Sequence, residues 1–425
     1  MKKKLLPALI VTGLIILVVI IMGITALINK YTPTKKTEDL KEYFNISSDD
    51  EAALIVDNEL SDYKAKIIDK KIYVDYKFVH DSLNSRFYWD ANENVLLYTT
   101  ASDIISAAAD SNSYSVTKQT NDFGYPIVKA TSDSALIALD YVKQYSNITF
   151  KSYGDPARIV ITSKWDEIDS ATVSKSTQVR VKGGIKSPIL KEVKKDDKIT
   201  ILDSGDKWDK VATEDGVIGY IKRKALSESK KTKLTNPDYE EETFTHIKKD
   251  KDICLAWNQV TSQSANSKVP QVISSTKGIN VMSPTWFYLN DNNGNLADIA
   301  SKDYVSYCHS QGIEVWALFS NFENTDVDAA YVLTHTSTRT TLINQIMSAA
   351  FNYELDGVNI DFENITEAAY GDSYIEFIRE LAIKCHNNGI SLSVDVTVPA
   401  SFNKFFNRSD MANFADYIVI MGYDE

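Results

Sequence analysis

From residue 253 onward, short apolar runs alternate with longer amphipathic stretches, and this rhythm limits the fold more than any other feature of the chain. Residues 253–257, 279–283, 314–319, 358–362, 391–398 and 417–421 have the length and β-branched or aromatic content of strands. Between them, residues 296–310, 339–353 and 373–387 carry apolar side chains at helical spacing. Gly312 and Gly389 stand just past two of these stretches, where a helix commonly ends on a left-handed residue. Strands alternating with helices pack as a parallel sheet covered by those helices, and six such units predict a barrel. Eight units close a barrel in about 250 residues. Residues 248–425 are therefore read as an incomplete (β/α)8 TIM barrel, six of eight units, truncated at its C-terminal side.

The N-terminus sets a second constraint. Lys2, Lys3 and Lys4 precede an uncharged, mostly apolar run from Leu5 to Ile28. As a helix that run reaches roughly 36 Å, more than the about 30 Å of a bilayer's hydrocarbon core. A cleavable leader has an apolar region of only about 7–15 residues, with small residues before the cut. Here the run is longer and ends Ala-Leu-Ile-Asn-Lys. The expectation is a single-pass anchor in the cell membrane, residues 1–29, with the lysines cytoplasmic and the rest of the chain extracytoplasmic. Residues 30–50 read as a polar stalk.

Composition narrows the partners. A chain that is 44% hydrophobic and 24% charged has the make-up of folded protein. With 58 acids against 46 bases, the formal net charge of -12 excludes the basic footprint of a nucleic-acid binder. Cys254, Cys308 and Cys385 form neither a disulfide framework nor a C-x-x-C zinc spacing, and read as small buried residues. His80, His246, His309, His335 and His386 show no paired spacing, so neither a metal nor a cofactor is expected. His309 and His386 fall on helices and read as surface or packing residues.

Two small units are expected between stalk and barrel. In residues 51–166, Lys71-Ile-Tyr-Val-Asp-Tyr alternates, and residues 86–98 read as strand, Asp/Asn turn, strand. A helix-compatible stretch spans residues 132–145. The region resembles the small N-terminal α+β domain of copper amine oxidases, an accessory module; with no His pair, the resemblance implies no copper. Phe87, Tyr88 and Trp89 read as core. In residues 167–226, Gln178-Val-Arg-Val, Ile199-Thr-Ile-Leu, Trp208-Asp-Lys-Val and Gly216-Val-Ile-Gly-Tyr-Ile are separated by Gly and Asp turns, which predicts a small β-barrel. Their order resembles bacterial SH3-like domains, implying either a wall-binding unit or a spacer. Residues 227–247, with Pro237 inside, read as a charged linker.

The chemistry concentrates in Asp356-Gly-Val-Asn-Ile-Asp-Phe-Glu-Asn. Asn359, Asp361 and Glu363 sit two apart and share one face of a strand, with Val358, Ile360 and Phe362 on the other. In a barrel the polar set points into the lumen at the carboxyl end, where this fold places its active sites. Carboxylates buried side by side are costly unless the site uses them. This stretch resembles the D-x-x-D-x-D-x-E signature of glycoside hydrolase family 18, the chitinases and endo-β-N-acetylglucosaminidases, with Asn359 in place of the middle aspartate. Val281-Met-Ser-Pro-Thr-Trp-Phe, Val315-Trp-Ala-Leu-Phe-Ser-Asn and Met421-Gly-Tyr-Asp-Glu resemble the family's second, third and sixth strands, closest to its spore-cortex and cell-wall branch.

The resemblance implies substrate-assisted hydrolysis, one of the exceptions to two-carboxylate chemistry. Glu363 would protonate the glycosidic oxygen and later activate water. Asp361 would orient the sugar's 2-acetamido group, whose oxygen attacks the anomeric carbon, and Tyr423 would hydrogen-bond that oxygen. Asp356, Asn359, Met421 and Asp424 would support them, and Trp257 and Trp286 would offer sugar platforms. Trp316 reads equally as core. Burial and the charge of Asp361 are expected to raise the pKa of Glu363. The family's middle aspartate can share a proton with its neighbour, whereas asparagine at 359 hydrogen-bonds without changing charge. The expected partner is cell-wall polysaccharide, peptidoglycan in preference to chitin, because anchor and SH3-like unit would hold the barrel against a wall. The alternative is a non-catalytic glycan-binding or scaffolding protein with an inactive barrel.

Overall fold

The structure, a computed structural model, describes residues 2–363, 365, 368–403 and 406–423. The chain divides into two compact units, residues 1–73 with 145–239, and residues 74–144 with 240–425.

The first unit opens with the helix Lys2–Tyr31. Its Leu9–Tyr31 portion, with mean hydropathy 2.9, is long and apolar enough to cross a membrane. In the same unit Glu51–Val56 pairs antiparallel with Glu59–Ile68 and parallel with Arg158–Thr162. Seven strands form a second, antiparallel sheet, in the order Ile189–Val193, Thr177–Arg180, Ile218–Lys222, Trp208–Thr213, Lys198–Asp203, Glu167–Thr172, Lys230–Lys233. Both sheets contribute to one core, in which Phe44 and Ile55 join Val179, Val211 and Ile221.

The second unit holds a six-stranded parallel sheet in sequence order: β1 (Leu255–Asn258), β2 (Val281–Leu289), β3 (Glu314–Ser320), β4 (Gly357–Asp361), β5 (Ser391–Thr397) and β6 (Tyr417–Met421). Among the described residues β1 and β6 are its outer strands. The longer connections form α1 (Lys302–Ser310), α2 (Thr336–Tyr353), α3 (Ala368–His386) and α4 (Arg408–Phe414). One face of β4 buries Val358 and Ile360 in a core shared with Leu342 and Ile346 of α2 and with Phe377 and Leu381 of α3. Burial of each such side chain stabilises the fold by about 1.5–3 kcal/mol.

Two local readings change. Residues 296–301 are not helical: β2 runs on to Leu289, and Leu296–Asp298 folds back against it, pairing Phe287 with Asp298. Asp291 makes that reversal, accepting from the backbone N–H of Asn293 (2.8 Å) and Asn295 (3.1 Å), with Gly294 at φ +85°. The helix therefore starts only after Ser301, whose hydroxyl caps it. Gly312 and Gly389 lie at φ +70°, as the sequence implies, and α2 ends on Glu354 at +58°, a left-handed residue that is not glycine. Cys308 and Cys385 are buried, whereas Cys254, just before the outer strand β1, is exposed.

Five strands, Phe87–Asp90, Val95–Thr99, Ile104–Ala108, Ser113–Val116 and Gln119–Asp122, form an antiparallel meander in the same unit. It caps the start of α2 and packs against the body of α3, the two helices that flank β4. Asp90 Oδ1 accepts from Asn92 N and Glu93 N inside the meander's own turn. Its Oδ2 accepts from the backbone N–H and hydroxyl of Thr336, both at 2.6 Å. The residue before Thr336, His335, gives α2 no side-chain cap, so Asp90 supplies one from elsewhere in the chain. Thr99 donates to Glu376 (2.9 Å), and the hydroxyls of Tyr88 and Ser373 meet at 2.9 Å. Phe87, Tyr88 and Trp89 are buried.

Candidate active site

The alternation of β4 turns Asn359 and Asp361 away from Val358 and Ile360, yet both remain buried, at 0% and 8% exposure. β4 lies between β3 and β5, with Asp361 beside Ser320. On the other side the register runs from Gly357 with Ser391 to Ile360 with Val394. The same offset, 34 residues, places Asp361 beside Asp395.

Asn359 is the hub. Its Oδ1 accepts from the indole N–H of Trp257 (3.0 Å) and the hydroxyl of Ser283 (2.9 Å), and its Nδ2 donates to Asp395 Oδ1 (2.9 Å). An indole N–H can only donate, so the orientation of the amide is fixed and its N–H2 must face Asp395. Sequence reasoning passed over Asp395. The signal was available: Ser391, Ser393 and Asp395 alternate with Leu392, Val394 and Val396, the same two-residue pattern as β4.

The two aspartates bear the electrostatic strain of the site. Asp361 is pushed up to about 7, first by burial and then by the charges of Glu363 and Glu323. Asp395 is also pushed up to about 7 by burial; hydrogen bonding from Asn359 and Trp257 opposes this, and Asp361 and Glu363 add to it. Among the described residues, neither Asp361 Oδ1 nor Asp395 Oδ2, both buried, has a hydrogen-bond partner.

Glu363 is placed differently from expectation. Its side chain is exposed, and the burial expected there is found instead at Asp361 and Asp395. Its backbone is fixed from both sides by Asn321, just past β3. Glu363 N donates to Asn321 Oδ1 (2.9 Å), and Asn321 Nδ2 donates to Glu363 O (2.8 Å). Asn321 belongs to the β3 motif quoted from the sequence, but its clamp needs two strands in register and is not a one-strand signal.

Trp257, at the end of β1, is 37% exposed, and Tyr423, two residues past β6, is 63% exposed. Their rings meet edge-on with centroids 6.1 Å apart. Met421 is buried at the end of β6, and Asp424 lies outside the described residues. Two expected members sit elsewhere. Trp286 is fully buried, donates to Asn266 Oδ1 (2.8 Å) and packs on Tyr304 with centroids 4.9 Å apart. A ring enclosed in the core cannot stack on a sugar, so Trp286 is a packing residue. Trp316 is buried too.

Asp356 precedes β4 and so lies at the opposite end of the strand from Asp361. Its Oδ2 accepts from His309 Nε2 and from Val315 N, both at 2.8 Å. Asp416, which precedes β6, repeats the arrangement, accepting from His386 Nε2 (3.1 Å), Ile247 N (2.6 Å) and Leu392 N (2.8 Å). The two histidines read as surface or packing residues thus end their helices on structural acids.

Residues 308–425 match the family described as Glycosyl hydrolases family 18. The uncharacterized glycosylase YvbX of Bacillus subtilis (strain 168) is 24% identical over 149 residues, which cover 32% of this chain and 42% of that protein. The chain thus spans under half the length of this curated relative. Among solved structures, a chitinase from Chromobacterium violaceum ATCC 12472 is 19% identical, with 41% of this chain and 56% of that one covered and a TM-score of 0.35. The spore cortex-lytic enzyme SleL of Bacillus megaterium QM B1551 is 17% identical, covering 39% and 41%, with a TM-score of 0.34.

Proposed function

We propose that this chain, whose residues 308–425 carry a glycosyl hydrolase family 18 domain, hydrolyses β-1,4-linked N-acetylglucosaminides by substrate-assisted, retaining catalysis. The observation that carries the reading is the pairing of an exposed Glu363 with a buried Asp361 at the carboxyl end of β4. Glu363, its backbone held by Asn321, can reach the bridging oxygen of a bound glycan and protonate it. The 2-acetamido oxygen then attacks the anomeric carbon, and the leaving sugar departs with the proton. Asp361, as a carboxylate in a dry setting, accepts the acetamido N–H and stabilises the positive charge that develops there. Tyr423 donates to the acetamido oxygen. Glu363, now a carboxylate, takes a proton from the water that opens the oxazolinium and returns the anomeric hydroxyl with its configuration retained. Trp257, its indole N–H tied to Asn359, presents the remaining ring face to sugar.

Peptidoglycan is the preferred substrate over chitin. The support is the apolar helix Leu9–Tyr31, long enough to cross a bilayer, taken as a retained single-pass anchor with Lys2–Lys4 cytoplasmic and the catalytic region outside. The accessory modules read from the sequence, residues 51–166 and the SH3-like 167–226, would hold the site near the wall. The test is mass spectrometry of products from purified peptidoglycan and chitin. Peptidoglycan fragments with a new reducing N-acetylglucosamine end are expected. Tight binding of either polymer with no cleavage would replace the hydrolase by the glycan-binding alternative.

A further inference from the structure

We propose that Asp395 is a positioning residue of this site, and that it holds a single proton jointly with Asp361, one strand away. Its catalytic meaning rests on the hydrolase reading above; the shared proton itself does not.

The register sets the two carboxyl groups side by side on β4 and β5, which run parallel at a strand spacing of about 4.8 Å. Each has one buried oxygen without a hydrogen-bond partner, Asp361 Oδ1 and Asp395 Oδ2. A third such atom, the hydroxyl of Tyr374 on α3, is buried within the field of both acids. Among the described residues, the other charged groups acting on the pair are Glu363, past the end of β4, and, on Asp361, Glu323, past the end of β3. Both are acids, and neither neutralises the pair. Two adjacent carboxylates in such a setting cannot both ionise near neutrality, so one proton serves both. Their upward displacement to about 7 agrees with this.

Asn359 makes the arrangement specific. Trp257 and Ser283 both donate to its Oδ1, which commits its Nδ2 to Asp395 Oδ1. That hydrogen bond keeps one oxygen of Asp395 an acceptor and leaves Oδ2 as the atom that can take the proton. A carboxylate at 359 would face Asp395 with no hydrogen to offer and would add a third negative charge. The amide at 359 and the acid at 395 are therefore complementary, and the second acid of the site stands on β5.

The proton transfer is balanced within the pair. At rest Asp361 is protonated and Asp395 is a carboxylate accepting from Asn359. When the acetamido group arrives, the O–H bond on Asp361 breaks and one forms on Asp395 Oδ2. Asp361 becomes the carboxylate that the developing cation requires, and the net charge of the pair stays at minus one. Product release reverses the step.

The experiment uses the full chain and four variants: Asp395→Asn, Asp361→Asn, Asn359→Asp, and the relocation double Asn359→Asp/Asp395→Asn, each checked for folding by circular dichroism. Infrared difference titration follows the carboxylic acid C=O band without substrate. The wild type is expected to show a band titrating near neutral pH that shifts to lower pH by about one unit or more in Asp395→Asn. In hydrolysis of an N-acetylglucosaminide, Asp395→Asn is expected to lower kcat by about tenfold or more, with KM little changed, and to displace the pH profile to lower pH. Asn359→Asp alone should be more severely impaired than the double variant, which restores one acid beside one amide. An unchanged infrared titration and an unchanged pH profile in Asp395→Asn would overturn the proposal. If the neutral-pH titration is present but the wild type cleaves no glycan, the hydrolase reading falls and the proton pair stands.

Discussion

The two ends of the parallel sheet use the same residue type in opposite ways. At the amino ends of β4 and β6, Asp356 and Asp416 each accept from a helix-terminal histidine, Asp356 also from one backbone N–H and Asp416 from two. At the carboxyl ends of β4 and β5, Asp361 and Asp395 are buried with one oxygen each lacking a partner. A satisfied acid holds elements together; a buried unsatisfied one raises the energy of the folded chain and persists where its chemistry is used. The difference between these acids lies in hydrogen-bonding capacity, met at the amino ends and unmet in one oxygen of each acid at the carboxyl ends.

This contrast can be sharpened by substitution. The largest expected effect is on Glu363, exposed at the carboxyl end with its backbone held by Asn321. Glu363→Gln should lower kcat by roughly 10² to 10⁴, the usual worth of a general acid, while isothermal titration calorimetry still detects oligosaccharide binding. Turnover near wild type would remove Glu363 from the mechanism.

Next comes pH. Asp361 and Asp395 are raised to about 7 in the folded chain, well above the ordinary carboxylate range near 4. Between those values the folded chain keeps a proton that the unfolded chain has lost. This contribution to stability is therefore full below about pH 4 and is lost as pH rises through about 7. Asp395→Asn should flatten that decline and, in urea titrations at pH 8, gain about 1–2 kcal/mol over the wild type. A loss at pH 8 would show that Asp395 is satisfied like the acids at the other end.

The smallest effect belongs to the amino end's exposed partner. His309, paired with Asp356 near the surface, should cost under about 1 kcal/mol on replacement by Gln, with hydrolysis unchanged. A tenfold fall in kcat for this variant would blur the distinction between the two ends.

Much of this was legible in the sequence, and the remainder has physical reasons. The six strands follow from short apolar runs bounded by loops, and the one-face placement of Asn359 and Asp361 follows from the period of two in β4. What the period cannot give is which neighbour stands across the ladder. Asp395 comes beside Asp361 only through the offset between two strands, and Asn321 reaches Glu363 only across β3 and β4. Trp286 misled because a tryptophan in a strand has the same local text whether its ring faces solvent or, as here, Tyr304 and Asn266. The meander's role was invisible for the same reason, since Asp90 caps a helix that begins 246 residues later in the sequence.

The central claim is tested most directly by making one substitution at both ends of the sheet, Asp416→Asn and Asp361→Asn, and measuring urea stability and kcat for each at pH 8. Asp416→Asn is predicted to lose about 1–3 kcal/mol of stability, because an amide cannot accept all the bonds that its carboxylate accepts from Ile247, His386 and Leu392. Its kcat per folded molecule should stay within about twofold of wild type. Asp361→Asn is predicted to keep or gain stability and to lose kcat by about 10². Equal losses of stability in the two variants, or a larger fall of kcat in Asp416→Asn, would contradict the account.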